Sequence, residues 1–406
     1  MMKNVNPLAE RAFIILVAGS LVLTFAMGIR QTFGLFVAPY SIDRAWPIAT
    51  FAFAIALQNL MWGLAQPFAG ALSDKYGAPR VVMGGGVLYA LGLAWTSLTR
   101  DSLGAVLGGG ILVGLGMSAV SFSVILGAIG RVTTPEKRSS ALGLASAGGS
   151  FGQMAVVPVA QGLIENSGID SALLWLSAMI LLVVPLAFML ATPEIKTEGA
   201  SSGGPVQISM SEALREAGGH YGYRLLTLGF FVCGFQLIFI STHLPGYLAL
   251  CHQAPNLSAQ ALAAIGFFNM IGSWACGQLG RFFRPKRVLA LIYFLRAIAI
   301  IIFLYAPKND WTVLLFASAM GLLWLGTVPL TSGLIATVFG PRYMGTLFGI
   351  VFLSHQVGSF FGAWLGGYFF DILGSYDGMW MLTAFSGVAA ALIHLPITDQ
   401  PLRQPA

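Results

Sequence analysis

Gly70-Ala-Leu-Ser-Asp74-Lys75-Tyr-Gly77-Ala-Pro-Arg80 is a short charged stretch between two long apolar runs, and its reading organises the rest of the chain. A related stretch, Gly277-Gln-Leu-Gly-Arg281-Phe-Phe-Arg284-Pro-Lys286-Arg287, recurs about half a chain later between two further apolar runs. Other correspondences keep that offset. Gly149-Ser-Phe-Gly152 parallels Gly358-Ser-Phe-Phe-Gly362, and Gly168 and Trp175 parallel Gly374 and Trp380. Duplication of this kind marks proteins built from repeated helical bundles in a bilayer, whose ligand site lies at the repeat interface near the membrane midplane.

Composition agrees with that reading. Of 406 residues 57% are hydrophobic, about 231 positions, which at roughly 20 per crossing is material for eleven or twelve spanning helices. Charged residues are only 9%, far below the roughly 25% of soluble domains. The 50 glycines suit closely packed membrane helices. Apolar stretches of spanning length fall at 12–37, 47–72, 80–98, 103–130, 139–164, 171–191, 223–250, 258–280, 287–306, 311–339, 344–370 and 379–397. The expected architecture is therefore an all-α membrane protein of twelve transmembrane helices in two pseudo-symmetric six-helix bundles. A polar segment, 192–222, with the run Ser201-Ser202-Gly203-Gly204-Pro205, is expected as a cytoplasmic linker between an N-terminal bundle, 1–191, and a C-terminal bundle, 223–406.

Twelve crossings put both termini on one side. With that side inside, 16 Lys and Arg residues flank the inner ends of the spans, whereas only Arg44, Arg100 and Lys308 flank the outer ends. This asymmetry predicts a multi-pass protein of the cytoplasmic membrane with both termini cytoplasmic. The net charge of +6 thus serves topology and calls for no nucleic acid. Cys233, Cys251 and Cys276 form no C-x-x-C pair and support neither a disulfide framework nor a metal site. The first apolar run continues through Phe36 without a small-residue cleavage signature, so it reads as a span and not as a removed signal.

All fifteen acidic residues fall in loops or at span ends, whereas Arg30 and Arg296 lie inside the first and ninth spans. An ionised side chain in the bilayer core is costly unless it meets a partner or a cavity. Two arginines with no buried carboxylate therefore predict a small organic anion as ligand, since a guanidinium grips a carboxylate through two parallel hydrogen bonds. For Arg296 the competing expectation is structural, a guanidinium bonding carbonyls or polar groups of its neighbours. His355 and His243 are the intramembrane groups that titrate near neutrality and so the candidates for carrying a coupled proton; otherwise anion exchange must supply the coupling. Asn59, Gln153, Asn269 and Gln356 are polar groups able to complete a substrate site, alongside Gln58, Gln236 and Thr327, with Tyr293 and Trp324 as apolar packing partners.

The stretch Gly70–Arg80 resembles the loop signature of the major facilitator superfamily, G-x-L-(S/A)-D-(R/K)-x-G-x-(R/K)-(R/K). Within that superfamily Gly28-Ile-Arg30-Gln-Thr-Phe-Gly-Leu-Phe36 and Gly366-Gly-Tyr-Phe-Phe-Asp371-Ile-Leu-Gly374-Ser-Tyr376-Asp resemble the monocarboxylate and oxalate-formate branch. The resemblance implies a secondary transporter working by alternating access, functional as a monomer and without a cofactor. It places Arg30 at the branch's basic position in the cavity-lining first helix and Asn269 at a substrate position of the eighth. It implies a cytoplasmic gate formed by Gly70, Asp74, Lys75, Gly77 and Arg80 with neighbours such as Arg131, the glycines permitting close backbone approach. Two departures stand out. Ser273 occupies the place where the branch carries an anion-binding arginine, and the fourth and fifth spans lack the arginine and Gly-Pro patterns of proton-coupled and drug-exporting relatives.

Other functions fit less well. Export of a drug-like compound would call for an intramembrane carboxylate, and a non-transporting membrane sensor would call for an appended signalling domain. Gly148-Gly-Ser150-Phe-Gly152 matches G-x-S-x-G, but Ser150 falls inside a span and not on a strand-to-helix elbow. No P-loop and no H-E-x-x-H occurs, so the sequence offers no enzyme reading.

Overall fold

A computed structural model describes residues 7–133, 135–191, 210–339, 344–400 and 402. The described residues of the predicted spans are predominantly helical, and no strand occurs among the described residues. The helices are α1 (Pro7–Arg44), α2 (Ile48–Tyr76), α3 (Ala78–Leu98), α4 (Ser102–Val132), α5 (135–167), α6 (169–189), α7 (Tyr221–Leu250), α8 (Pro255–Phe282), α9 (Pro285–Tyr305), α10 (Asp310–Phe339), α11 (Met344–Leu373) and α12 (Asp377–His394). Ten segments qualify as spans by length and apolarity; Ala141–Met189 folds into two crossings at Gly168, and α12 completes the twelve. A separate amphipathic helix, Met210–Gly219, precedes α7. Residues 192–209 of the expected linker lie outside the described residues.

The repeat read from sequence has a physical basis in the turns. Gly168 and Gly374 both adopt positive φ, 80° and 66°, and reverse the chain after the fifth helix of each half. A side chain there would be strained, which explains why glycine recurs at matching positions.

Close backbone approach draws the helices of each half together in the same way twice. On α5, a Cβ at Gly152 would overlap Thr24 O of α1, and one at Gly148 would lie 2.8 Å from Ser20 O. On α11, Gly358 and Gly362 sit equally hard against Phe231 O and Phe235 O of α7. Small residues at such crossings replace the hydrophobic drive that lipid does not supply.

Between the halves, α1 meets α7 where Gly34 lies against Ser241 O, α2 meets α11 at Gly63–Gln356 and Ala49–Gly367, and α5 meets α8 at Gln153–Gly266. These contacts lie at mid-membrane or towards the face opposite the termini, here called the far face. There the Asp371 carboxylate of α11 accepts from Ile48 N–H (3.0 Å) and Ala49 N–H (2.8 Å), closing the positive N-terminus of α2 across the two halves. Asp170 similarly holds Arg44 (2.7 Å) and Arg100 (3.3 Å) within the first half.

The fourth helix of each half departs from the continuous span expected. In α4, Val106–Leu112 is a π-helical turn and the backbone opens to extended geometry at Ser121 (φ −104°, ψ −170°). In α10, the helix stops at Leu322 and restarts at Thr327. The interruptions persist because side chains from neighbouring helices take over the freed backbone groups, the condition for irregular backbone at membrane depth.

Candidate functional site

Arg30 sits at mid-length in α1 and is only partly buried. Its Nη2 donates to Asn59 Oδ1 of α2 (2.8 Å), and Asn59 Nδ2 in turn donates to Ile55 O (2.8 Å), which settles the orientation of the amide. The guanidinium lies 5.1 Å from the ring centre of Trp62, whose indole N–H donates to Ser121 Oγ at the break in α4 (2.9 Å). The Nε has no partner. No ion pair among the described residues includes Arg30, and the acidic groups that do pair belong to the far face or the terminus side.

Arg30 shares a small cavity with Gln31, Gln58 and Asn59, closed from α7 by Ser241 and Thr242. Its volume, counted over positions open to the centre of a water molecule, is about 10 Å³, room for a single water. The walls are polar and incompletely paired: both amide atoms of Gln31 and Oε1 of Gln58 join Arg30 Nε without partners. Sequence reasoning passed over Gln31, Ser241 and Thr242. Gln31 had a signal, a second polar side chain directly beside Arg30 in an otherwise apolar span; the hydroxyls had none, because Ser and Thr are common in membrane helices.

Gln356 of α11 packs against Gly63 of α2, one turn from Asn59, and its Nε2 is unpartnered. His355 Nδ1 lies 3.2 Å from Gln356 Oε1 and 3.4 Å from Ser359 Oγ. Gln153, at the α5–α8 contact, is buried with an unpartnered Oε1. His243 stands apart in the far half of α7, its Nε2 2.7 Å from Ala363 O and so carrying the proton when neutral.

Arg296 has the surroundings of its structural alternative. Its side chain is wholly buried (0% exposed) and faces the break in α10. Nε donates to Leu323 O (3.0 Å), Nη2 to Leu323 O and Trp324 O, and Nη1 to Gln236 Oε1 and Cys233 Sγ (both 3.4 Å). Asn269 works on the same break from the other side. Its Oδ1 accepts from Leu325 N–H (3.1 Å) and Ser273 Oγ (3.1 Å), and its Nδ2 donates to Ser150 Oγ of α5 (3.1 Å). The two residues split the orphaned backbone between them, the cation taking carbonyls and the amide oxygen taking an N–H.

The expected gate is described in part. Gly77 caps α2 with φ 86°, and its N–H donates to Ser73 O (2.9 Å). Gly70 makes no close approach: no atom outside its own helix comes within 4 Å of where a Cβ would stand. Lys75 and Arg80 are exposed, Lys75 Nζ lying 5.1 Å from the Tyr76 ring centre, and Arg131 is exposed in the last turn of α4. The side chain of Asp74 lies outside the described residues.

A twelve-helix bundle with paired halves and a polar centre at their seam is the architecture of one transporter class, and comparison with known proteins agrees. The family model of the Major Facilitator Superfamily matches residues 12–307, and the chain belongs to that family. Monocarboxylate transporter 13 of Rattus norvegicus is 27% identical over 379 residues, covering 90% of this chain and 85% of its own. The oxalate:formate antiporter of Oxalobacter formigenes is 21% identical over 404 residues, covering 96% and 93%. Among solved structures, a bacterial homologue of the human lysosomal transporter Spinster, in an inward-facing and unoccupied conformation, superposes with a TM-score of 0.76 at 13% identity over 97% of this chain and 96% of its own. That likeness concerns the fold alone.

Proposed function

We propose that this chain is a secondary transporter that moves a small organic anion, a short monocarboxylate, across the cytoplasmic membrane by alternating access. The observation that carries the reading is Arg30, a mid-membrane guanidinium at the seam of the halves with an unpartnered Nε and no carboxylate opposite it. Leaving such a charge unmatched in a low-dielectric interior is costly. A substrate carboxylate supplies the missing charge and accepts the free N–H, in a geometry that a guanidinium fork suits. The names of two relatives, a monocarboxylate transporter and an oxalate:formate antiporter, point to the same ligand chemistry.

On this reading Asn59 orients Arg30, Gln356 and Gln153 approach the ligand from the seam, and Arg296 and Asn269 act by holding the break in α10. The halves 1–191 and 223–406 move against each other about the site, with the Gly70–Arg80 loop as terminus-side gate. The conformer described here is closed at the far face, where α1–α7 and α2–α11 touch. His355, beside Gln356, is the candidate for a coupled proton, with exchange of one anion for another as the other route of coupling. His243, donating to a backbone carbonyl, is assigned a packing role. The charge asymmetry of the loops supports cytoplasmic termini, and on this reading a monomer is the functional unit.

The test is uptake of labelled short carboxylates into proteoliposomes containing the purified full-length chain. Saturable uptake, lost in Arg30→Gln and partly kept in Arg30→Lys, is the expected result. Uptake of amines or neutral solutes instead, indifferent to Arg30→Gln, would overturn the anion reading and favour export of drug-like compounds.

A further inference from the structure

We infer that Gln58 is a specificity-determining residue, which makes this site select a carboxylate carrying its own hydrogen-bond donor. The inference rests on the reading that Arg30 binds the ligand's carboxylate. It begins in α4, where the π-helical turn Val106–Leu112 shifts the backbone hydrogen-bond register and presents Gly109 O to α2. Gln58 Nε2 donates to that carbonyl at 3.0 Å. The amide therefore has one allowed orientation, since turning it over would set two oxygens face to face. Close packing of Gly114 against Gln58 O holds the backbone in place as well.

With one N–H committed to Gly109 O, the amide is fixed and Gln58 keeps an unpaired acceptor at Oε1. The side chain is 1% exposed, lines the cavity with Arg30, and its Oε1 has no partner. Gln31, 2% exposed in the same wall, has both amide atoms unpartnered and adapts to either sign of partner. The cavity thus has a donor pole at Arg30 and a fixed acceptor pole at Gln58. A plain alkyl carboxylate, with acceptors alone, satisfies the first pole and strips water from the second without replacing it. A carbonyl beside the carboxylate adds another lone pair, which Gln31 Nε2 can meet, but it still leaves Gln58 Oε1 unpaired. Once the halves part beyond the single-water volume of this conformer, a hydroxyl beside the carboxylate donates to Gln58 Oε1 and completes the site. Discrimination of this kind is strong because the penalty for the wrong ligand is a buried polar atom left unpaired.

The test uses three acids with the same carbon skeleton: propanoate, 2-oxopropanoate and 2-hydroxypropanoate. Their dissociation constants are measured by calorimetry on the purified full-length chain, in wild type, Gln58→Leu, Gln58→Met and Arg30→Gln. The expected wild-type preference for the hydroxy acid over the other two is on the order of tenfold. In both Gln58 variants it collapses to within about twofold while propanoate still binds, and Arg30→Gln loses all three acids. Equal affinities in wild type, or a preference surviving in both Gln58 variants, overturn the inference and leave the carboxylate reading standing. Wild type binding none of the acids, or Arg30→Gln retaining them, overturns that reading and the inference with it. If neither Gln58 variant unfolds cooperatively, the wild-type ratio decides alone.

Discussion

Arg30 and Arg296 are the same residue type within spans, and their hydrogen-bonding surroundings are opposite. Arg30 keeps an unpartnered N–H at a polar cavity, whereas Arg296 directs its donors to the broken α10, Gln236 and Cys233. Arg296→Met should therefore lower the melting temperature markedly, because Leu323 O and Trp324 O lose their partner and each unpaired buried group costs about 1–3 kcal/mol. Arg30→Gln should leave the ligand-free melting temperature close to wild type, since it removes a charge that nothing in the protein neutralises. Thermal unfolding of the two variants side by side checks this; equal destabilisation would contradict the division of labour. Both arginines were legible in sequence as intramembrane charges, and for Arg296 both a ligand-binding and a structural surrounding were open. Which guanidinium meets a cavity and which meets carbonyls depends on residues such as Leu323 and Asn59, 27 and 29 positions away. Gln31 escaped a functional reading and Gln58 was legible only as one polar group among several, for a related reason: an amide in a span looks the same whether or not its hydrogen bonds are complete.

At the scale of the helix, spans were legible because apolar length is a composition signal, and the reversals at Gly168 and Gly374 were legible as a repeated glycine. The π-helical turn of α4 and the gap in α10 were not, since Gly108-Gly109-Gly110 and Trp324-Leu325-Gly326 are as apolar as their flanks. Hydropathy records burial and is blind to hydrogen-bond register. Glycines also looked alike in sequence while their neighbourhoods differ. Gly152→Val and Gly358→Val drive a side chain into Thr24 O and Phe231 O, so little monodisperse protein should be recovered on size-exclusion chromatography. Gly70→Ala meets nothing within 4 Å and, inside helix α2, should fold normally with a gain of about 0.4–1 kcal/mol. Normal folding of Gly152→Val would show that the α1–α5 crossing is looser than described.

The whole molecule is two related halves joined along α1–α7, α2–α11 and α5–α8, and the duplication behind this is legible in the sequence. The conformer was not, because it rests on contacts between residues roughly 200 to 320 positions apart, such as Gly34–Ser241 and Ile48–Asp371. Asp371 closes the far face by accepting from the first two N–H groups of α2. Asp371→Asn replaces a full charge at that helix terminus with a dipole and should shift the population towards far-side opening by about fivefold. Labelling of Thr242→Cys, in a background lacking Cys233, Cys251 and Cys276, by a membrane-impermeant thiol reagent reads that opening directly. Unchanged labelling would remove Asp371 from the latch. The central claim, an anion held by Arg30 between the halves, is tested most directly by thermal stabilisation of the purified chain with panels of short carboxylates, amines and neutral solutes, since a ligand of the native state raises apparent stability. The account predicts stabilisation by carboxylates alone and its loss in Arg30→Gln; stabilisation by amines or neutral solutes that persists in Arg30→Gln would contradict it.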